Sequence, residues 1–451
     1  MLEEKIQDFL GQIEQQHLAE GLELLSEEQK IAFWEQLTKY PLDLLQKQRD
    51  VIFSPHKDFS IEDVTPIHEA YYSGERSFLI LGKARIREKK LGCIVLAGGQ
   101  ASRLRAEFPK ALYPVTLIRN KTLLQLLLEK VKAASIEAEC DLCIAIMVSP
   151  FNRQEIQHYL EENHFFGLKK EQVTLFCQDV LPLLDEKGNW ILEEPGKILE
   201  GPDGNGKALQ LFMENGLGAS WLQKGITDVN VIFIDNPLAD PFDAELCDFR
   251  YAKDLDVAIK VIEREDPNEK VGVLASYQGK TKVIEYTELS SEQRTSRNEE
   301  GELLFTFANT GLFCFSLSFL EKLYMQKRPT MPWHIAKKKA HIYSDGRRSL
   351  QMIYKLESFL FDIFDFVRSA KLLIYPREDV FAPLKNETGE DSVESVQEKL
   401  LQHDQKVFEK LSGISVKDRV FELDPGFYYP TAEIQEKWWA KPLPQQDYIE
   451  P

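Results

Sequence analysis

The sequence predicts an α/β protein with a mixed, mainly parallel sheet, preceded by a helical segment and followed by a short C-terminal region. From about residue 90, short apolar runs alternate with helical patterns. That alternation implies crossover connections between parallel strands, with helices on both faces of the sheet. The first part of the chain is helical in pattern instead, because Leu2, Ile6 and Phe9 fall on one helical face. Residues 26–29 (SEEQ) match a capping box that opens a further helix.

Two groups of apolar runs predict the strands of this sheet. The parallel strands are predicted at residues 93–96, 142–148, 173–177 and 229–234. Closer and more alternating runs predict antiparallel additions at residues 257–261, 271–277, 282–286 and 303–307. Helices are predicted from about residue 122 and over residues 152–162. Ligands of open α/β sheets bind at the carboxyl ends of the strands. The site is therefore predicted in segments 97–110, 178–182, 201–207 and 235–240.

Composition argues against several classes of protein. The 451 residues carry 55 Lys and Arg against 73 Asp and Glu, a net charge of −18, which disfavours broad binding to nucleic acid or to anionic lipid. The longest apolar runs are about seven residues, far below the ~20 that span a bilayer. Six cysteines without a regular framework predict free thiols and a reducing, cytoplasmic location. Cys140 and Cys143 form a lone C-x-x-C, which we interpret as buried strand residues rather than as a metal site.

A glycine-containing segment directly after the first strand is the strongest chemical motif. It reads LAGGQASRLRAEFPKALYPV, starting at Leu96. Gly98 and Gly99 let the backbone turn tightly and approach a ligand closely, and the N–H groups of such a turn form an anion-binding concavity. Arg103 and Lys110 add positive charge. The glycine pair alone would favour a plain strand–turn–helix connection, but the whole string predicts a polyphosphate site.

The same string resembles L-A-G-G-x-G-T-R-L followed by P-K, the signature of the sugar nucleotidyltransferases with a GT-A-like Rossmann core. Further segments resemble the eukaryotic-type UDP-N-acetylhexosamine pyrophosphorylases; among them are KTLLQLLLEKV, GPDGNG, VIFIDNPLADP, KVIEYTEL, LLFTFANTGLFCF, ESFLFDIFDF and REDVFAPLKN. The resemblance covers roughly residues 90–387 in unbroken order. It implies a nucleotidyltransferase catalytic domain over residues 88–385, between the N-terminal helical segment 1–87 and a short C-terminal α/β region 386–451.

The resemblance also implies a role for each candidate site residue. The implied catalytic residues are Arg103, Lys110 and Lys385, and the implied magnesium ligand is Asp235. The implied nucleotide contacts are Leu96, Gly98, Gly99, Gln178, Pro202 and Gly204. The implied sugar contacts are Asn205, Gly272, Glu285, Asn309, Phe359 and Phe361.

The chemistry of these residue types is compatible with those roles, but each has a plainer alternative. The Gln178 amide can both donate to and accept from a uracil edge, and without the resemblance it would be an ordinary loop residue. Asp235 follows the apolar run VIFI, where a carboxylate can hold Mg²⁺ near phosphates; otherwise it caps the next turn. Phe359 and Phe361 could equally be core residues. His334 and Lys338 fall at helical spacing, and we interpret them as surface or structural residues.

The implied reaction is uridylyl transfer, in which UTP and N-acetylglucosamine 1-phosphate give UDP-N-acetylglucosamine and pyrophosphate with Mg²⁺ as cofactor. Two alternatives stay open. One is the same reaction on glucose or galactose 1-phosphate. The other is a nucleotide-sugar binding protein with weak or lost turnover. The expected partners are the substrates and product, with no nucleic acid and no membrane, and the expected state is a monomer or weak oligomer.

Four residues depart from the family pattern. Ala101, Arg105 and Ala111 stand where relatives have Gly. A positive φ at Ala101 would cost roughly 1–2 kcal/mol, and this departure motivates the binding-protein alternative. Lys207 replaces a second Gly and is expected either to bind phosphate or to face solvent. It also completes G-x-x-x-x-G-K at residues 201–207, but an Ala follows where a P-loop needs Ser or Thr.

Overall fold

The computed structural model describes residues 2–54, 61–286, 288–326 and 330–451. The α-helices of these residues are α1 (Leu2–Gln12), α2 (Glu27–Thr38), α3 (Leu44–Phe53), α4 (Arg76–Arg87), α5 (Leu123–Glu137), α6 (Arg153–Glu162), α7 (Ala208–Glu214), α8 (Leu217–Gln223), α9 (Ala244–Ala252), α10 (Ser291–Thr295), α11 (Leu317–Met325), α12 (Arg377–Val380), α13 (Val393–Ser412) and α14 (Ala432–Trp438).

The β-strands of the same residues are short, and most lie in the middle of the chain. They are β1 (Val64–Pro66), β2 (Ala70–Tyr72), β3 (Leu91–Leu96), β4 (Ile144–Val148), β5 (Val173–Cys177), β6 (Val180–Pro182), β7 (Leu192–Glu194), β8 (Lys197–Ile198), β9 (Glu200–Pro202), β10 (Asp228–Phe233), β11 (Val257–Glu263), β12 (Val273–Tyr277), β13 (Lys280–Ile284), β14 (Phe307–Ser316), β15 (His334–Ser344), β16 (Arg347–Glu357), β17 (Ala370–Ile374), β18 (Glu422–Leu423) and β19 (Tyr448–Ile449).

The chain divides into two compact units, each built from three separate segments. The smaller unit comprises residues 1–60, 178–207 and 330–362, and the larger unit comprises residues 61–177, 208–329 and 363–451. The domain boundaries expected after residues 87 and 385 stay a prediction. Among the described residues, no helix combines the length and the apolar character needed to cross a bilayer.

The larger unit is built on one mixed sheet with a mainly parallel core, as predicted. Its central strand order is β2-β17-β11-β14-β10-β3-β4-β5. β10, β3, β4 and β5 run parallel to one another, as do β11, β17 and β2. β14 lies antiparallel between β10 and β11, and β12 and β13 extend the sheet as an antiparallel addition. β3, which leads into the predicted site, is buried on both faces along all six of its residues.

Two details of the predicted sheet are wrong. The strand predicted at residues 303–307 does not form; β14 instead begins at Phe307. The apolar side chains of Leu303 and Phe305 are buried, which explains the apolar pattern of this segment. Its backbone does not form a strand, and Leu303 makes an isolated bridge with Arg297. The second error concerns Cys140 and Cys143, which are half-buried and precede β4 rather than lying within a buried strand.

The smaller unit has its own core, formed by the N-terminal helices and strands β7 and β8. Ile6, Leu10 and Phe33 pack in the same apolar cluster as Trp190. The indole N–H of Trp190 donates to Gln48 Oε1 over 2.7 Å, so the polar edge of this buried ring is satisfied. The capping box predicted at residues 26–29 is confirmed by reciprocal hydrogen bonds between Ser26 and Gln29.

A long hairpin in the smaller unit contains His334 and Lys338. Their spacing is that of one helical face, but they lie on β15, which pairs antiparallel with β16 over eleven residues. Ile342 and Ile353 are buried, whereas the residues next to each of them in sequence are partly or fully exposed, which fits the alternation of side chains along a strand.

Candidate active site

The glycine segment of the larger unit folds into a loop that returns to its own start. Leu96 ends β3, Gly98 is buried and Gly99 is exposed. The Lys110 N–H donates to the Gly99 carbonyl over 3.2 Å, which closes the loop. A Cβ placed on Gly99 would have open space around it. The predicted sequence of strand, glycine pair and lysine therefore folds so that Lys110 lies beside the glycines, with room for a ligand.

Lys110 and Asp235 form the centre of the site. Their Nζ and Oδ2 atoms lie 3.0 Å apart, although 125 residues separate them in sequence. Parallel pairing of β3 and β10 explains the contact, because Leu96 lies opposite Phe233 and both chains leave the sheet at the same edge. Both side chains keep partial access to solvent, with 17% of Lys110 and 24% of Asp235 exposed. The lysine and carboxylate predicted for phosphate and metal binding are thus brought together.

Lys385 is anchored to the same strand end. The Leu384 N–H donates to the Asp235 carbonyl over 2.8 Å. The Lys385 N–H donates to the Asp391 carbonyl, also over 2.8 Å, and its Nζ lies 3.5 Å from Asp391 Oδ2. Asp391 was missed by sequence reasoning, since it lies six positions beyond the lysine in a polar segment without a recognisable motif.

The departures from the family pattern have different structural consequences. Ala101 is buried, and its φ is not positive, so the expected strain does not arise there. Arg105 instead adopts φ +52°, a conformation that favours glycine, and its side chain pairs with Glu387 at 2.9 Å. Ala111 is fully buried. The predicted catalytic Arg103 is exposed to solvent.

Three predicted sugar contacts also meet in the larger unit. The Asn309 N–H donates to the Gly272 carbonyl over 2.8 Å. A Cβ placed on Gly272 would lie 3.5 Å from Glu285 Oε1 and 3.0 Å from a methyl of Val283. Gly272 is thus closely packed beside the Glu285 carboxylate, and the Asn309 Oδ1 accepts from the Gly311 N–H over 3.1 Å. The start of β14 lies at the sheet edge where antiparallel β10 ends, which places Asn309 on the side of Asp235.

Predicted contacts of the smaller unit lie on a loop whose glycines serve a protein contact. The N–H groups of Asn205 and Gly206 both donate to the Ser358 carbonyl over 3.0 Å, and the Ser358 N–H donates to the Asp203 carbonyl over 2.8 Å. Gly204 has φ +88°, and a Cβ there would overlap the Ser358 backbone. The backbone of this loop therefore packs closely against Ser358. Ser358 was missed because a single serine before an apolar run gives no signal.

The phenylalanine pair follows Ser358 directly. The Leu360 N–H donates to Asn205 Oδ1 over 2.8 Å, so the predicted sugar ligand Asn205 holds this segment. The rings of Phe359 and Phe361 stack with centroids 5.2 Å apart, and the His334 ring lies 4.7 Å from Phe359. His334 therefore belongs with the aromatic pair.

Lys207 of the smaller unit lies between two carboxylates, of which only Asp203 is fully buried. Lys207 Nζ lies 2.9 Å from Asp203 Oδ2 and 3.1 Å from Asp179 Oδ2. Burial raises the pKa of Asp203, and the Lys207 ammonium opposes that rise. Lys207 thus neutralises a carboxylate, whereas phosphate binding or a solvent-facing position was expected. Gln178 is buried and directly follows Cys177, the last residue of β5, in sequence. Pro202 lies in β9, which pairs with β6.

The larger unit offers one oxygen ligand where a metal would be expected. Asp235 supplies a partly exposed carboxylate, and Mg²⁺ in phosphoryl-transfer sites usually takes one or two carboxylates together with phosphates and water. The donor chemistry therefore fits. Within the described part of the chain, the only cluster of three potential metal ligands is Asp228, Cys247 and Cys314. That cluster is buried, and its carboxylate is paired with Arg85 and Arg250, so it is a structural charge network.

The fold and this strand-end arrangement define an α/β nucleotidyltransferase. A family model described as UTP–glucose-1-phosphate uridylyltransferase matches residues 51–425. The chain belongs to this family of UDP-sugar pyrophosphorylases.

Individual relatives agree with that assignment. The chain is 30% identical over 403 residues to the UDP-N-acetylglucosamine pyrophosphorylase of Saccharomyces cerevisiae, with 84% of each chain covered. It is 33% identical over 316 residues to UDP-N-acetylhexosamine pyrophosphorylase-like protein 1 of Xenopus tropicalis, which covers 68% of this chain and 62% of that relative. The structure of the uridine diphosphate N-acetylglucosamine pyrophosphorylase of Trypanosoma brucei has the same fold, with a TM-score of 0.80, 24% identity, and 100% and 98% of the two chains covered.

Proposed function

We propose that this chain transfers a uridylyl group from UTP to N-acetylglucosamine 1-phosphate, releasing UDP-N-acetylglucosamine and pyrophosphate. The observation that carries the proposal is the strand-end arrangement of Lys110, Asp235 and the Lys385 segment in a chain of this family. The relatives named as UDP-N-acetylglucosamine pyrophosphorylases support the choice of sugar.

The reaction needs alignment and charge stabilisation more than proton transfer. An oxygen of the sugar phosphate attacks the α-phosphorus of UTP, the bond from that phosphorus to the bridging oxygen breaks, and pyrophosphate leaves with its electron pair. A phosphate monoester has a second pKa of ~6, so its oxygen is largely ionised near neutral pH and no strong general base is required. Catalysis then rests on holding the reactants in line and neutralising the phosphates.

We assign the charged groups of the larger unit to these tasks. Lys110 and Lys385 would neutralise the α-phosphate and the incoming sugar phosphate, and the exposed Arg103 would hold the leaving pyrophosphate. Asp235 would hold Mg²⁺, which neutralises phosphate charge when bound. Both members of the Lys110–Asp235 pair keep partial access to solvent. A polyphosphate can therefore replace Asp235 as the partner of Lys110.

The remaining assignments follow the resemblance. In the larger unit, Leu96, Gly98 and Gly99 would contact the nucleotide, while Gly272, Glu285 and Asn309 would contact the sugar. In the smaller unit, the predicted nucleotide contacts are Gln178, Pro202 and Gly204, and the predicted sugar contacts are Asn205, Phe359 and Phe361. A cytoplasmic location and a monomeric or weakly oligomeric state stay predictions.

A second candidate is the same reaction on glucose 1-phosphate, because the matching family model carries that description. The two candidates share every charged group assigned above and differ only in the sugar. The proposed sugar contacts Gly272, Glu285 and Asn309 would then decide the substrate, because Glu285 and Asn309 carry groups that can hydrogen-bond substituents on the ring.

One assay separates these candidates from each other and from a binding protein. The purified full chain is incubated with UTP, Mg²⁺ and, in turn, the 1-phosphates of N-acetylglucosamine, glucose and galactose, and pyrophosphate release is measured. We expect the highest kcat/KM with N-acetylglucosamine 1-phosphate. Faster release with glucose 1-phosphate would establish the second candidate. No release with any sugar, together with calorimetric binding of a UDP-sugar, would establish a binding protein.

A further inference from the structure

Asn236, the residue after the proposed magnesium ligand, is buried and uses its amide on two parts of the chain. It is 4% exposed. Its Oδ1 accepts from the Ala382 N–H over 3.1 Å and from the Leu238 N–H over 3.3 Å. Its Nδ2 donates to the Val380 carbonyl over 2.7 Å. Two of these three hydrogen bonds therefore hold the segment that leads to Lys385.

The backbone adds a third connection between the same two segments. The Leu384 N–H donates to the Asp235 carbonyl over 2.8 Å. Residues 380–384 thus lie along Asp235 and Asn236, held at three successive points. All five of these residues are buried, and Lys385, which follows them, is the first to reach solvent, with one third of its side chain exposed.

We propose that Asn236 is a positioning residue that sets the place of Lys385 relative to Asp235. This role rests on the proposed function of Lys385. An amide is required because the site presents one N–H and one carbonyl from the same segment, and only a group with both a donor and an acceptor satisfies the two. The hydrogen bonds of the Asn236 side chain go to backbone groups of the chain itself. Its contribution to turnover is transmitted through the lysine.

The first test compares Asn236, which follows β10, with Asn230, which lies on β10. Asn236→Ala removes both hydrogen bonds to residues 380 and 382. The matched control is Asn230→Ala, because Asn230 is 1% exposed, lies on β10, and donates to the Pro241 carbonyl without touching the Lys385 segment. We expect kcat to fall between about tenfold and hundredfold in the first variant, since misplacement of a reacting group by about 1 Å costs that much. In the control, kcat should change less than threefold.

A double-mutant cycle decides whether the effect passes through Lys385. In the Lys385→Ala background, Asn236→Ala should lower kcat by less than about threefold, because the group that it positions is gone. Losses that multiply would overturn the positioning role, and so would a loss no greater than that of Asn230→Ala. An unaltered chain without turnover would overturn the proposed function, and the positioning role with it. The two failures are therefore distinguishable by the unaltered chain.

A second variant covers the case in which Asn236→Ala does not fold. Asn236→Asp has the same shape, but its ionised carboxylate cannot donate to the Val380 carbonyl. We expect Asn236→Asp to lower kcat in the otherwise unaltered chain and to lower it by less than about threefold in the Lys385→Ala background. An equal fold-loss in both backgrounds would contradict a role that acts through Lys385.

Discussion

The charged groups at the end of β10 are matched in pairs. Lys110 lies against Asp235, and Lys385 lies near Asp391. Each lysine therefore has an acidic partner that a phosphate can replace. Because the lysines remain partly exposed, this exchange requires no opening of the core. The proposed chemistry depends on the release of these two partners.

Lys110→Ala tests the residue at the centre of this exchange. We expect kcat for uridylyl transfer to fall by more than about 10²-fold, because a preorganised charge on the transferred phosphoryl group is lost. The variant should still unfold cooperatively in urea, because Asp235 keeps partial access to solvent and can be hydrated when the lysine is gone. The control is Lys169→Ala, which removes a surface lysine paired with Asp141 and should leave kcat unchanged. Near-normal turnover of Lys110→Ala would contradict the assignment.

Residue identities at the site could be predicted from the sequence, but backbone conformation could not. The order of strand, glycines, Lys110 and a distant Asp235 is a linear pattern, so it was recognisable without coordinates. The positive φ lies at Arg105 rather than Ala101, and nothing in the residue types distinguishes these two positions. The contacts of Asp391 with Lys385 and of Ser358 with residues 203–206 depend on the path of the chain in space, so they could not be predicted from the sequence either.

At the scale of elements, helix α13 carries an unusual buried acid. Asp404 is 3% exposed, and it accepts hydrogen bonds from the Tyr428 hydroxyl over 2.5 Å and from the Leu423 N–H over 2.9 Å. Burial raises the pKa of Asp404 to about 7, and these two hydrogen bonds oppose the rise. Asp404 therefore joins α13 to β18 and to the turn at Tyr428. Its burial favours the protonated carboxyl.

The pH dependence of stability tests this account of α13. The pKa of Asp404 is higher in the folded chain than the value of about 3.9 in an unfolded one. Its contribution to stability is therefore present below about pH 4 and is lost as the pH rises to about 7. Asp404→Asn does not ionise, so it should not lose stability over this pH range. Its amide can still form hydrogen bonds with the Leu423 N–H and the Tyr428 hydroxyl. We expect its free energy of unfolding in urea, relative to the unaltered chain, to rise by a few kcal/mol from pH 4 to pH 7. The same difference for the exposed Asp418→Asn should stay flat.

The loop of the smaller unit gives a prediction about close backbone packing. Gly204→Ala places a Cβ against the Ser358 backbone at φ +88°, whereas Gly346→Ala adds a Cβ at φ +70° with nothing within 4 Å. Both variants bear the conformational cost of roughly 1–2 kcal/mol, but only the first also has a steric conflict. We expect a clearly lower Tm for Gly204→Ala than for Gly346→Ala in thermal unfolding. Equal Tm values would contradict the packing of residues 203–206 on Ser358.

Elements with a simple periodicity were predictable, and elements with a mixed pattern were not. β3 and β5 are short apolar runs bounded by polar residues, and β5 was predicted to the residue. β15 contains three consecutive lysines and only one fully buried residue. Its strand conformation depends on pairing with β16, which is not visible in the segment itself.

At the scale of the whole molecule, the chain has a net charge of −18, and acidic residues also accompany the basic residues of the candidate site. Arg105, Lys110 and Lys385 of the larger unit all have acidic partners, as does Lys207 of the smaller unit. We therefore expect Lys110 and Lys385 to meet a polyphosphate by exchange of partners, whereas Arg103 is exposed to solvent.

The most direct test of the central claim is phosphorus NMR of the reaction catalysed by the full chain. With UTP, Mg²⁺ and N-acetylglucosamine 1-phosphate, we expect UDP-N-acetylglucosamine and pyrophosphate to appear in equal amounts, and Lys110→Ala to form neither at a comparable rate. Release of pyrophosphate without the UDP-sugar, or equal product from the variant, would contradict uridylyl transfer at the Lys110–Asp235 site.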